Sequence, residues 1–87
     1  MQRKCDCMEL IDTVGLMING DYKDRFVAEY QQAGIRLDRL RKMISQYDAG
    51  ALNFEPANIN LLREQAAIMG KYLYILEERA KLEKIRL

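Results

Sequence analysis

The residues best equipped for binding chemistry lie in one stretch, Asp21, Tyr22, Lys23, Asp24, Arg25 and Phe26, with Tyr30 one further turn along. An aspartate opening such a run marks the start of a helix. Free backbone N–H groups and the helix dipole favour an anion there. Lys23 and Arg25 carry charge that pairs with phosphate, and the rings of Tyr22 and Tyr30 can stack on a nucleobase. Arg36 is a further cation on the same helix. Tyr22, Lys23, Arg25, Tyr30 and Arg36 are therefore the candidate ligand-binding residues. A competing reading explains them without a ligand. Asp21 and Asp24 are caps that partly cancel the charge, and Phe26 and Tyr30 belong to an apolar seam. Both readings stay open on the sequence.

Little else is equipped for catalysis. There is no histidine, so the commonest general base is missing. The single serine, Ser45, has no base pattern beside it, and no Gly-rich loop suits a phosphate cradle. The chain is expected not to be an enzyme and to use no cofactor. Cys5 and Cys7 are the two cysteines. A lone Cys-x-Cys pair without histidine cannot fill four positions around zinc. They read as reduced thiols near a terminus, with a site shared between subunits as the metal alternative; no metal site is expected.

Two long helices must position the candidate residues. One seam runs Phe26, Tyr30, Ala33, Leu37, Leu40, Ile44, Tyr47; the other runs Ile59, Leu62, Ala66, Met69, Leu73, Leu76, Ala80. Members recur at three or four residues, the spacing of an apolar stripe on a helix. Asp21 is the expected N-cap of the first long helix, with Asp24 in the capping-box position and Ala49-Gly50 as its end. A connection of residues 50–58 is short enough to force antiparallel neighbours. Leu52 and Phe54 are expected to fold over the hairpin end. Asn58 is the expected cap of the second long helix. Residues 2–18 read as a shorter, weaker helix stopped by Asn19-Gly20, residues that tolerate the left-handed conformation.

A second apolar row on the last helix, Leu61, Ile68, Tyr72, Ile75 and Leu82, cannot be covered by the same facing helix. It calls for the N-terminal helix, another subunit, or both. A chain of 87 residues forms one domain and buries little core alone. The expected fold is thus all-α: one domain over residues 1–87, with an N-terminal helix in 1–19, long helices at 21–49 and 58–84, and homo-oligomeric assembly. The net charge of +1 is too small for a duplex nucleic-acid binder. No run is long enough to span a membrane, and a cytoplasmic protein is expected.

Three segments carry a resemblance: Asp21 to Tyr30; Leu52-Asn53-Phe54-Glu55-Pro56; and Leu61-Leu62-Arg63-Glu64-Gln65 followed by residues 72–80. Together they resemble a family of small helical proteins of tailed phages and prophages, relatives of a crAss-like phage protein. The likeness covers residues 20–87, and residues 1–18 depart from it. A looser similarity is to oligomeric phage sponges for the cyclic nucleotide signals of bacterial immunity, which place a tyrosine and a lysine near a helix start, as Tyr22-Lys23 does. The resemblance implies a phage or prophage accessory protein in a bacterial cytoplasm. The looser similarity implies that it would bind and sequester a nucleotide second messenger, a cyclic nucleotide or ADP-ribose derivative, without cleaving it. The alternative is a module that inhibits or adapts a host or phage protein.

Overall fold

Asp21 and Asp24 start the first long helix by satisfying each other's backbone. The Asp24 N–H donates to Asp21 Oδ1 at 2.9 Å, and the Asp21 N–H donates to Asp24 Oδ2 at 3.4 Å. This reciprocal box removes two of the donors that a helix start leaves unpaired. The chain is described over residues 8–87 by a computed structural model. In it α2 spans Tyr22–Asp48, after a shorter helix α1 at Val14–Asn19. Gly50 ends α2 at φ 83°, a left-handed angle that glycine adopts without a Cβ clash. Cys5 and Cys7 lie outside the described residues.

The second long helix, α3, spans Pro56–Glu83. It begins two residues before the expected cap at Asn58. Proline occupies its first turn, where the missing N–H costs nothing and the fixed φ suits a helix. Lys84 closes α3 in the left-handed conformation at φ 58°, and the N–H of Ile85 returns to the Ala80 carbonyl at 2.8 Å. That closure tucks Ile85 into the core.

Both seams face inward. Phe26, Tyr30 and Leu37 of α2 pack with Leu73, Leu76 and Ala80 of α3. Tyr47 stacks on Phe54 at 6.0 Å between centroids, so Phe54 folds over the hairpin end, while Leu52 stays exposed, contrary to expectation. Arg63 pairs with Asp48 there and holds its carboxyl below the usual range through that hydrogen bond. The longest dimension is 42 Å, about one helix length.

The N-terminal segment differs from expectation. A 3-10 turn at Leu10–Thr13 leads into α1, and Met8 and Glu9 are not helical. Gly20 stops α1 in an extended conformation (φ −87°, ψ 167°), not a left-handed one. A Cβ at Gly20 would lie 2.1 Å from Asp24 Cβ and 2.6 Å from the Leu16 carbonyl oxygen. Close approach, not backbone angle, therefore requires glycine here. Thr13 is fully buried; its Oγ1 donates to the Leu10 carbonyl and accepts from Gln32 Nε2, each at 2.8 Å. Arg39 pairs with Glu9. These contacts seat the segment on α2, and its described residues make no backbone approach to α3. The second apolar row of α3 stays exposed. No helix of the described residues is long and apolar enough to cross a membrane.

Candidate functional site

Because the hairpin is antiparallel, the start of α2 lies beside the end of α3. Tyr22, on the first turn of α2, donates its hydroxyl proton to Glu83 Oε1 at 2.6 Å. Arg79 donates through Nη2 to the Tyr22 oxygen at 3.0 Å and through Nε to Glu83 Oε2 at 3.1 Å. The same guanidinium lies over the Phe26 ring, 5.0 Å from its centroid. The Tyr22 ring meets Phe26 edge-on, with centroids 6.2 Å apart and planes at 65°. Arg25 is held by a bond from Nη1 to the Gly20 carbonyl at 2.9 Å.

These groups border a cleft of about 340 Å³ lined by Met17, Tyr22, Arg25, Phe26, Glu29 and Arg79. That volume falls in the range of small-molecule sites. Two aromatic rings, one thioether and two guanidinium groups suit a flat, partly apolar ligand that carries negative charge. The electrostatics are balanced: Arg25 and Arg79 are set against Glu29 and Glu83. An anion must therefore share Arg79 with Glu83 or displace that carboxylate. The Tyr22–Glu83 hydrogen bond raises the phenol's pKa and lowers the carboxyl's, since it needs the proton on the tyrosine and the charge on the glutamate.

Of the five residues singled out from the sequence, Tyr22 and Arg25 line this cleft. Lys23 is on the same turn but exposed and not among the lining residues. Tyr30 belongs to the core. It is 2% exposed, and its hydroxyl donates to Glu77 Oε2, so within one subunit its ring has no face for a base. Arg36 is exposed and fourteen residues beyond Tyr22, about 21 Å along the helix, so one subunit does not unite the two. Sequence reasoning missed Arg79, Glu29 and Met17. The available signal was the hairpin itself, which carries the last turns of α3 to the Tyr22 cluster. Among the described residues no group of three or more side chains has the makings of a metal site.

Comparison with the curated proteins and with the solved structures gives no match. The family model named Sequestin matches residues 20–82, from the turn before α2 to the last turn of α3. The matched span contains both seams and five of the six residues that line the cleft, leaving out only Met17. On that match over most of its length, the chain belongs to the Sequestin family.

Proposed function

We propose that this protein acts by sequestration: it binds a nucleotide-type signal of bacterial immunity, a cyclic nucleotide or an ADP-ribose derivative, and holds it without cleaving it. The family's name speaks of sequestration. The observation that carries the ligand class is the cleft, where the rings of Tyr22 and Phe26 adjoin the guanidinium groups of Arg25 and Arg79. In this reading Tyr22 stacks on the base while Arg25 and Arg79 take the phosphates. Lys23 and Arg36 add charge at the cleft's approaches, Arg36 from another subunit. The setting is a phage or prophage accessory protein in a bacterial cytoplasm.

Magnitudes bear on how the site must be built. A helix-end dipole contributes about 0.3–1 kcal/mol, far below the roughly 8 kcal/mol of micromolar binding. A stacked base adds about 1–3 kcal/mol, and a hydrogen bond to a charged group about 1.5–3 kcal/mol. One open cleft approaches the required sum only if most contacts form and water is excluded. Self-association that encloses the ligand is part of the proposal. No histidine or metal cluster among the described residues enters the mechanism, which needs only binding.

The exposed apolar face of α3 favours a second reading, a module that inhibits or adapts a host or phage protein. Calorimetry separates the two. Cyclic dinucleotides and cyclic ADP-ribose derivatives are titrated into the wild type, Tyr22→Ala, Tyr22→Phe and Arg25→Ala. Sequestration predicts heat with at least one nucleotide, weakened by Tyr22→Ala and Arg25→Ala and largely kept by Tyr22→Phe, which retains the ring. No heat across the panel, with biological activity retained in all variants, turns the reading over to protein binding.

A further inference from the structure

The geometry points to a second copy of this chain as the occupant of the outer face of α3, packed α3 against α3 in parallel about a two-fold axis. Leu61, Ile68, Ile75 and Leu82 lie on that face at 63%, 63%, 45% and 85% exposure. They recur every seven residues, the repeat that keeps one row facing a partner helix along its whole length. None of the described residues of their own chain covers them. The inner face of α3 is spent on α2, and the N-terminal segment packs on α2 instead. A row of this kind on a monomer is an unusual exposure of apolar surface.

The charges beside the row choose the partner and its direction. One flank carries Glu64, Lys71 and Glu78; the other carries Gln65, Tyr72 and Arg79. In a parallel two-fold pair, each flank faces the opposite flank of the other copy. Glu78, paired in its own chain with Lys81, then lies beside the partner's Arg79, itself bonded to Glu83, while Lys71 lies beside the partner's Tyr72 and Glu64 beside the partner's Gln65, so no like charges meet. All four apolar residues meet their own counterparts. In an antiparallel pair each flank faces itself. The register that buries all four apolar residues then sets Lys71 against the partner's Lys71 and Glu64 against the partner's Glu78. Slipping by seven residues restores opposite charges but leaves one of the four apolar residues outside. Only the parallel pair buries the whole row without setting like charges against each other.

This pairing reaches the cleft. Tyr72 donates its hydroxyl to Glu29, one of the lining residues. The partner's Lys71, set beside Tyr72, is thereby brought toward the Glu29 side of the cleft. The proposal shares with the sequestration reading only the expectation of self-association, and its test uses no nucleotide.

Single cysteines are placed at Leu61, Ile68, Ile75 and Leu82 in a Cys5→Ser, Cys7→Ser background and oxidised mildly. A disulfide requires Cα atoms about 4.4–6.8 Å apart, so only residues that meet their own counterparts form covalent dimers alone. The parallel pair predicts dimers from Leu61→Cys and from Leu82→Cys, the two ends of the row. Failure at both ends, with a Leu61→Cys and Leu82→Cys mixture cross-linking instead, overturns it in favour of the antiparallel pair. In sedimentation at micromolar concentration the wild type should run as an even-numbered assembly, with Ile68→Glu, Ile75→Glu releasing smaller, still helical species. A monomeric wild type overturns the proposal outright and with it the enclosed form of the sequestration reading; nucleotide capture by such a monomer would leave capture in the open cleft standing.

Discussion

Arg79 lies over Phe26 with its guanidinium carbon 5.0 Å from the ring centroid, joining the last turns of α3 to the first turns of α2. It also bonds Tyr22 and Glu83, so the cation is already positioned before any ligand arrives. Its carboxylate partner competes with an incoming phosphate. Glu83→Gln should therefore tighten nucleotide capture, and Arg79→Ala should weaken it by about tenfold or more, the equivalent of one good interaction. Calorimetry on both variants checks this. Weaker binding after Glu83→Gln would mean that Glu83 contacts the ligand favourably.

The same hydrogen bond gives stability a pH signature at both ends. Glu83 and Asp48 have lowered pKa values through Tyr22 and Arg63. Their stabilisation is present above the ordinary carboxylate values of about 4.3 and 3.9 and fades as pH falls through the lowered ones. Tyr22 is raised by Glu83. Its contribution is complete below the ordinary value of about 10 and is lost as pH rises through the raised value. Thermal melts from acid to alkaline pH should show Glu83→Gln flattening the acid limb and Tyr22→Phe flattening the alkaline limb. Unchanged limbs in both variants would contradict the bond.

Core truncation tests the hairpin. Leu37 and Leu76 are 0% and 1% exposed. Each Leu→Ala should cost about 2–5 kcal/mol through lost burial and a residual cavity, read by chemical denaturation. Leu61→Ala, on the outer face of α3, should cost far less in a dissociated chain.

Two left-handed residues predict opposite signs. Lys84 pays the Cβ penalty at φ 58°, so Lys84→Gly should stabilise by up to about 1 kcal/mol. Gly50, at φ 83°, avoids that penalty, so Gly50→Ala should destabilise by about 1–2 kcal/mol. Melting curves decide both, and a stabilising Gly50→Ala would show that the turn has another conformation.

The sequence carried most of the helical architecture because its signals are local. Asp21, Asp24 and Ala49-Gly50 bracket α2 by capping chemistry, and both seams repeat at helical spacing over about six turns. α3 starts ahead of Asn58, a good cap in isolation, because Pro56 in the first turn is at least as good a beginning. Over the described residues the N-terminal segment is not one helix, and its apolar residues are not buried together: Ile11 and Ile18 are 74% and 70% exposed. Half of the cleft was equally visible. Tyr22 and Arg25 stand out at a helix start, but Arg79 and Glu29 join them only through packing. Tyr30 reads as a ligand residue by its type and as a seam residue by its spacing, and packing into the core places it in the seam.

The central claim is capture without turnover, and a capture-and-release assay tests it most directly. The protein is mixed with a panel of cyclic dinucleotides and cyclic ADP-ribose derivatives and filtered to remove what is free. It is then heat-denatured, and the released fraction is identified by mass spectrometry. One nucleotide should be depleted from the filtrate and return with unchanged mass on heating, and Tyr22→Ala should leave it in the filtrate. A cleaved nucleotide would make the protein an enzyme, and an undepleted panel would contradict sequestration of this ligand class.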